Sequence, residues 1–303
     1  MIVMNEDNEA FEMIKRSGKI LRETREEIKR YVREGMPIIE VCEKAENLIR
    51  KKGGLPAFPC NVSINEVAAH YTSPPDDKKT IPDKSVVKVD IGAHVDGYLT
   101  DTAVTICFNK EHESLVKTAE YAVETAVKNV EPGMATGKLG AIIENTIKSR
   151  GFKPISNLCG HQIGRYIVHT GTSIPNVAQI SFSKFKPGSV YAIEPFVTLP
   201  NAAGRVENGE QATIFRLVKS RSLKNPNAKK ILKHIEENFK TLPFAERWLQ
   251  NVVPHESHRE AFQELLTSKV LMKYPIFVEA SRQVVAQAEH TILVAEDSCL
   301  VLT

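Results

Sequence analysis

The sequence lacks the features of secreted and membrane proteins. Its 303 residues include only five cysteines and no C-x-x-C pair, which argues against a disulfide framework or a structural zinc site. No run of ~20 apolar residues could span a bilayer, and the amino terminus lacks the basic and apolar regions of a signal peptide. We therefore expect a cytoplasmic protein with buried free thiols and no membrane partner.

An excess of charge of one sign is also missing. The 40 lysines and arginines face 37 acidic residues, and the net charge of +3 is scattered along the chain. Without a polybasic stretch there is no reason to expect specific binding to nucleic acid. The 42% hydrophobic and 25% charged content is typical of a globular protein with an ample core.

Two regions of the chain follow the same plan. Amphipathic patterns predict helices over 6–32, 38–52 and 115–130, and alternating patterns predict strands over 85–91 and 98–108, around Asp96-Gly97. An offset of 98 places Gly53 on Gly151, and a similar offset places His70 on His169. We interpret this as an internal duplication of a helix-helix-strand unit, although chance similarity of amphipathic segments is an alternative.

The helical pattern from Leu223 to Ile276 interrupts this plan, and the chain returns to strand patterns over 283–302. The sequence thus predicts an α+β fold in which residues 1–303 form one domain and residues 223–276 form an inserted helical subdomain.

Four carboxylates lie within otherwise apolar strand sequences: Asp90, Asp101, Glu194 and Glu289. Any one of them could be an edge residue or a cap. Because burying an unpaired carboxylate is costly, four together indicate a shared cation, and their charge balances two divalent ions.

Hairpin geometry brings the first two carboxylates together. A turn at Val95-Asp96 places Asp90 directly opposite Asp101, and a turn at Asp96-Gly97 places the two diagonally. Both registers put the side chains on one face, where a cation would relieve their repulsion.

Three histidines are candidates for a nitrogen ligand and for proton transfer. His161, in L-C-G-H-Q-I-G, is a candidate ligand, and one histidine with four carboxylates suits Mn, Fe, Co or catalytic Zn. His70 and His169 occupy matching places in the two halves, so both could face one cleft and transfer protons. Either one alone could equally be structural.

The motifs around these residues resemble the type 2 methionine aminopeptidases, which have the pita-bread fold of the creatinase and aminopeptidase group. They are F-P-C-N-V-S-I-N-E-V-A-A-H-Y-T from Phe58, K-V-D-I-G-A-H-V-D-G-Y-L-T-D-T-A from Lys88, G-H-Q-I-G-R-Y-I-V-H from Gly160, Y-A-I-E-P-F from Tyr191 and A-Q-A-E-H-T-I-L from Ala286. The resemblance covers nearly the whole chain and is closest to the short archaeal form.

The resemblance implies a pseudo-twofold, curved antiparallel sheet and removal of the initiator methionine from nascent proteins, with a small second residue. It implies that two metal ions are bound by five residues, Asp90, Asp101, His161, Glu194 and Glu289. Asp101 and Glu289 would bridge the ions, and Glu194 would accept a proton from the attacking water. His70 would contact the scissile amide nitrogen and His169 the substrate carbonyl. The residues that match the methionine pocket or its rim are Phe58, Phe196 and Tyr274. The family expectation is a monomer.

Two other members of this fold are alternatives. An X-Pro aminopeptidase or prolidase has similar ligands but usually a large preceding domain, whereas few residues precede the first motif here. A non-catalytic proliferation-associated binding protein would have lost metal ligands, and all five positions are filled here. A third alternative is nucleic-acid binding by lysines of the predicted insertion, which are Lys224, Lys229, Lys230 and Lys233. Such lysines are more typical of a solvated helix face.

Overall fold

The structure is a computed structural model that describes residues 4–303 and combines six α-helices with a mainly antiparallel set of strands. The helices are α1 Met4–Tyr31, α2 Ile38–Lys51, α3 Glu113–Asn129, α4 Thr136–Ser149, α5 Pro226–Asn238 and α6 His255–Thr267. The strands are β1 Leu55–Ile64, β2 Val67–Ala69, β3 Val86–Val95, β4 Tyr98–Cys107, β5 Lys153–Pro154, β6 Cys159–Ile163, β7 Ser173–Pro175, β8 Val190–Ile193, β9 Phe196–Thr198, β10 Val206–Leu217, β11 Phe244–Ala245, β12 Leu271–Glu279, β13 Val285–Gln287, β14 Glu289–Val294 and β15 Cys299–Val301. The predicted α+β class is confirmed.

The helix pairs repeat as the sequence predicts. Helices α2 and α4 each contain 14 residues, and the offset of 98 superposes their ends. Gly53 and Gly151 follow them with positive φ angles of 84° and 82°, a conformation that glycine adopts without strain. Each pair buries its apolar stripe against its own part of the sheet, which gives one hydrophobic cluster for each half.

The halves meet in an eight-stranded sheet with the order β1-β3-β4-β14-β8-β6-β7 and β15 on the side of β14. The junction is the pairing of β4 with β14, which has only two residue pairs, Glu289 with Ala103 and His290 with Thr102. We call this junction the seam.

The β3–β4 hairpin decides between the two predicted registers. Asp96 and Gly97 have φ angles of 47° and 82°, as a two-residue type I′ turn requires. Val95 therefore pairs with Tyr98, Asp90 with Ala103 and Gly92 with Asp101. The two aspartates lie diagonally on one face of the sheet.

The predicted helical insertion is partly strand. Helices α5 and α6 share a hydrophobic cluster, and Asn225 caps α5 by accepting hydrogen bonds from the backbone of Asn227 and Ala228. Residues from Leu271 onward, however, belong to β12, which pairs with β10. The apolar run there fits a short helix or a strand, and long-range pairing selects the strand.

The expectation of five buried cysteines is wrong for three of them. Cys42 and Cys60 are buried, Cys107 and Cys299 are half-buried, and Cys159 is exposed; all five are free thiols. Among the residues described, no helix combines the length and the apolarity that crossing a bilayer would require.

Candidate metal centre and active site

Five neighbouring strands each contribute one of the predicted ligands to a single cavity. Along the sheet these are Asp90 on β3, Asp101 on β4, Glu289 at the start of β14, Glu194 directly after β8, and His161 on β6. In a flat sheet the backbones of β4 and β6 would lie roughly 14 Å apart, three strand spacings. His161 Nε2 nevertheless lies 3.6 Å from Asp101 Oδ2, so these side chains converge.

The centre of the cluster is compact. One ligand atom each from Asp101, His161 and Glu289 lie within 4.8 Å of one another, and His161 Nε2 is also 3.4 Å from Glu194 Oε1. Asn61 Nδ2 donates a long hydrogen bond of 3.5 Å to Asp90 Oδ2, on β3. Asp101 and Glu289 are thus at the centre of the cluster. Asp90 lies on one side of them, and His161 and Glu194 lie on the other.

Burial disfavours the charged form of every carboxylate in the cluster. It raises the pKa of Asp101 to about 7. Burial, and then the charge of neighbouring acids, also raises the pKa values of Asp90, Glu194 and Glu289 well above their usual range. Burial lowers the pKa of His161 to about 4, which leaves a neutral imidazole that can ligate.

The protein does not satisfy these groups by itself. Asp90 Oδ1, Asp101 Oδ1, Glu289 Oε2 and His161 Nδ1 are buried without a hydrogen-bond partner. Within residues 8–303, no lysine or arginine nitrogen lies within 4.0 Å of an oxygen of these four carboxylates, so none of them is paired with a basic side chain. Buried charges are otherwise paired or bound to metal, so an oxygen-rich set with one imidazole fits divalent cations.

Threonine hydroxyls hydrogen-bond the backbone of the two central ligand residues across the seam. Thr291 Oγ1 accepts from Asp101 N and lies 2.7 Å from both Asp101 N and Asp101 O. Thr102 Oγ1 donates to Glu289 O at 2.8 Å. These bonds supplement the two ladder pairs of the seam. Our sequence interpretation missed them, although threonines next to carboxylates in apolar strands were a visible signal.

The two predicted catalytic histidines line the same cavity. His70 has a positive φ of 67°, and its Nδ1 is 3.2 Å from Pro275 O, an acceptor, so Nδ1 carries the proton and Nε2 is free. The ring of His169 lies 4.1 Å from that of His161. Burial lowers the pKa values of His70 and His169 to about 4 and about 3, so both are neutral.

The apolar wall of the cavity includes Phe58 and Tyr274, two of the three residues that the resemblance assigns to the methionine pocket or its rim. Phe196 does not line it; this side chain is 2% exposed and packs with Ile155 and Val285 behind the wall. Ile214 on β10 and Pro243, between α5 and β11, also belong to the wall and were not predicted. Both lie outside the motifs, and only the pairing of β10 with β11 and β12 carries them here.

Comparison with known proteins agrees with this geometry. The sequence pattern of metallopeptidase family M24 matches residues 12–296. A methionine aminopeptidase of Methanocaldococcus jannaschii is 44% identical over 295 residues, which cover 97% of this chain and 99% of that protein. The chain belongs to the methionine aminopeptidases of metallopeptidase family M24. The relative from Methanothermobacter thermautotrophicus is 42% identical over 292 residues, with 95% and 97% of the two chains covered.

Solved structures agree on the fold of these M24 metallopeptidases. A thermophilic Arx1 has a TM-score of 0.82 at 18% identity, with 97% of this chain and 90% of the other covered. The methionine aminopeptidase of Thermotoga maritima has a TM-score of 0.69 at 23% identity, with 96% and 95% covered. At such identities the likeness concerns the fold alone, and it confirms the predicted pita-bread architecture.

Proposed function

We propose that the protein hydrolyses the peptide bond after an amino-terminal methionine, with two divalent metal ions held by Asp90, Asp101, His161, Glu194 and Glu289. The observation that carries the proposal is the buried ligand cluster, whose unpartnered oxygens need cations. Four carboxylates neutralise two divalent ions, and the central positions of Asp101 and Glu289 suit residues shared between them. Mn, Fe, Co and Zn all accept these ligands, and availability in the cell decides among them.

Ions held there would polarise the scissile carbonyl and acidify the attacking water. The residues of the chain supply the rest. Glu194, with its raised pKa and its position beside His161, accepts the proton of that water. Neutral His169 can donate a hydrogen bond to the substrate carbonyl oxygen, and neutral His70 can contact the scissile amide nitrogen through its free Nε2.

Substrate selection follows from the two sides of the cavity. The thioether side chain fits the apolar wall formed by Phe58, Ile214 and Tyr274. The unsubstituted α-amino group fits the acidic side, because its positive charge complements the four carboxylates and an acetylated amino terminus lacks that charge. We expect the substrates to be amino-terminal peptides of newly made proteins, with a small second residue.

A pair of peptides tests this function. The purified protein, loaded with Mn or Co, should cleave Met-Ala-Ser and leave acetyl-Met-Ala-Ser intact. Ala-Pro-Ser should be cleaved far more slowly, since alanine leaves the apolar wall unfilled. Equal cleavage of the free and the acetylated peptide, or cleavage of neither, would contradict the proposal, and preferred cleavage of Ala-Pro-Ser would favour the X-Pro alternative.

A further inference from the structure

Arg216 lies on the same face of β10 as Ile214, a residue of the cavity's apolar wall. It follows Ile214 by two positions on β10, and side chains two apart in a strand share a face. Phe215, between them, faces the other way into the core of the inserted helices. Across the β10–β12 pair, Ile214 pairs with the cavity residue Tyr274, and Arg216 pairs with Met272.

The exposure along β10 shows that Arg216 lies between interior and solvent. Ile214 is 3% exposed, and Val218, just beyond the strand, is 53% exposed. Arg216 is half-buried between them. Its guanidinium can therefore face the outer end of the cavity that holds the proposed catalytic groups.

The charge of Arg216 lacks an acidic partner in the part of the chain whose side chains the structure describes. Its Nε is buried without a hydrogen-bond partner, and no carboxylate within residues 8–303 lies within 4.0 Å of it. The buried Arg247, by contrast, is paired with Glu46. A partly desolvated arginine without a counter-charge is costly, and its planar donors suit a carboxylate.

Tyr274 connects Arg216 to the proposed catalytic groups. It lies diagonally across from Arg216 on the same face of the β10–β12 pair, and the Arg216 guanidinium opposes the rise that burial causes in the pKa of Tyr274. The ring of Tyr274 packs edge-on against that of His70, with 5.6 Å between the ring centroids. Arg216 is therefore on the side of the cavity where His70 would contact the scissile amide nitrogen.

We infer that Arg216 is a specificity-determining residue that binds a substrate carboxylate downstream of the scissile bond. This inference rests on the proposed function. The carboxylate could belong to an acidic side chain at the third position or to the carboxyl terminus of a short peptide, and the two sources can be separated experimentally.

The experiment compares kcat and KM for three peptides, Met-Ala-Asn-amide, Met-Ala-Asp-amide and the free acid Met-Ala-Asn. We expect the protein to favour at least one carboxylate-bearing peptide over Met-Ala-Asn-amide by roughly tenfold in kcat/KM, mainly through KM, as for a hydrogen bond to a charged group. A gain with Met-Ala-Asp-amide identifies the side-chain source. A gain with only the free acid identifies the terminal carboxylate.

Variants assign that preference to Arg216. Arg216→Met should abolish it while leaving the metal content and the kcat for Met-Ala-Asn-amide unchanged, and Arg216→Lys should retain part of it. Lys273→Met is the matched control, because Lys273 pairs with Phe215 and shares the opposite face; it should keep the full preference.

Failures of the two proposals are distinguishable. Equal kcat/KM values for all three peptides, or a preference that persists in Arg216→Met, overturn the role of Arg216 and leave the peptidase function standing. If none of the three peptides is cleaved, it is the proposed function that fails.

Discussion

Two glutamates of this protein are equally buried and have opposite surroundings. Glu46 on α2 and Glu289 on β14 are each 2% exposed. Glu46 accepts hydrogen bonds from Trp248 Nε1 at 2.8 Å and from Cys60 N at 3.1 Å, and it pairs with Arg247. Glu289 lies among other acids, and its Oε2 has no partner.

The difference separates a structural charge from a functional one. Burial raises the pKa of Glu46, but Arg247, Trp248 and the Cys60 amide oppose the rise. Arg247, between β11 and α6, also donates to Thr72 Oγ1 and Ser73 O, so the Glu46–Arg247 pair fastens the insertion to the segment that follows His70. The neighbouring charges of Asp101, Glu194 and Asp90, by contrast, raise the pKa of Glu289 further and so increase the cost of its ionisation. Depth of burial alone therefore does not reveal function; the partners do.

Glu289→Gln should have the largest effect on activity. Loss of a central ligand forfeits several kcal/mol of transition-state stabilisation, or about 10⁴-fold in kcat/KM at about 1.4 kcal/mol for each factor of ten. The metal-free variant should be at least as stable as the metal-free parent, because an unpaired buried carboxylate has been removed. Peptide hydrolysis, metal analysis and melting curves check this, and a variant that keeps its metals and its activity would contradict the proposed ligand role.

His70→Ala distinguishes a residue that assists proton transfer from one that binds metal. The side chain lines the cavity but is not a predicted ligand, so metal content should be unchanged. We expect kcat to fall by roughly 10²–10⁴-fold, the usual loss for a group that assists proton transfer. Elemental analysis beside the kinetics decides the matter, since loss of metal would mean that the role has been misassigned.

Glu46→Gln should reduce stability and retain metal binding, which is the opposite of the result expected for Glu289→Gln. Breaking a buried ion pair leaves Arg247 uncompensated and should lower the free energy of unfolding by about 3 kcal/mol, while metal binding is retained. Glu43→Gln, on the exposed side of the same helix, is the matched control and should change stability by less than about 0.5 kcal/mol. Similar denaturation midpoints for the two variants would contradict the structural role of Glu46.

Removal of the metals should destabilise the protein, because the clustered carboxylates then repel one another. Saturation at about 100 times Kd stabilises a native state by about 2.7 kcal/mol, so the metal-free protein should melt several degrees lower. The shift should persist in Glu46→Gln and vanish in Glu289→Gln. An unchanged melting curve after confirmed metal loss would argue against a shared site.

Thr291→Val tests the support of the centre, with the smallest expected effect. Valine keeps the shape of threonine but lacks the hydroxyl that bonds the backbone N and O of the ligand residue Asp101. Loss of such a supporting group typically weakens metal affinity by about 10–100-fold. Competition with a metal indicator measures this, and Thr291→Ser, which keeps the hydroxyl, should bind like the parent. Equal affinities for the valine and serine variants would show that the bond does not matter.

Local patterns predicted those parts of the fold that depend on local chemistry. Helices α2 and α4 are set by apolar spacing and by the glycines that follow them, and the shared face of Asp90 and Asp101 follows from strand periodicity. The hairpin register remained open because it depends on backbone angles at Asp96 and Gly97.

Long-range contacts explain what the sequence interpretation missed. Pro243 and Ile214 reach the cavity only through strand pairing across the insertion, and residues 271–276 become strand because β10 is beside them. Phe196 matches a pocket motif, yet its ring turns into the core. The proximity of His161 to Asp101 depends on how the strands between them bring the two side chains together, and no local periodicity encodes that.

The seam brings together residues that are made at very different times during synthesis. Thr102 and Glu289, which it joins, are 187 positions apart along the chain. Closing such a long loop is slow relative to forming the local helix pairs. A ribosome will therefore have produced the β3–β4 hairpin, with its two aspartates, well before the remaining ligands emerge. Until β14 docks, the growing chain carries acidic residues but no complete centre, so metal capture should mark the end of folding rather than its beginning.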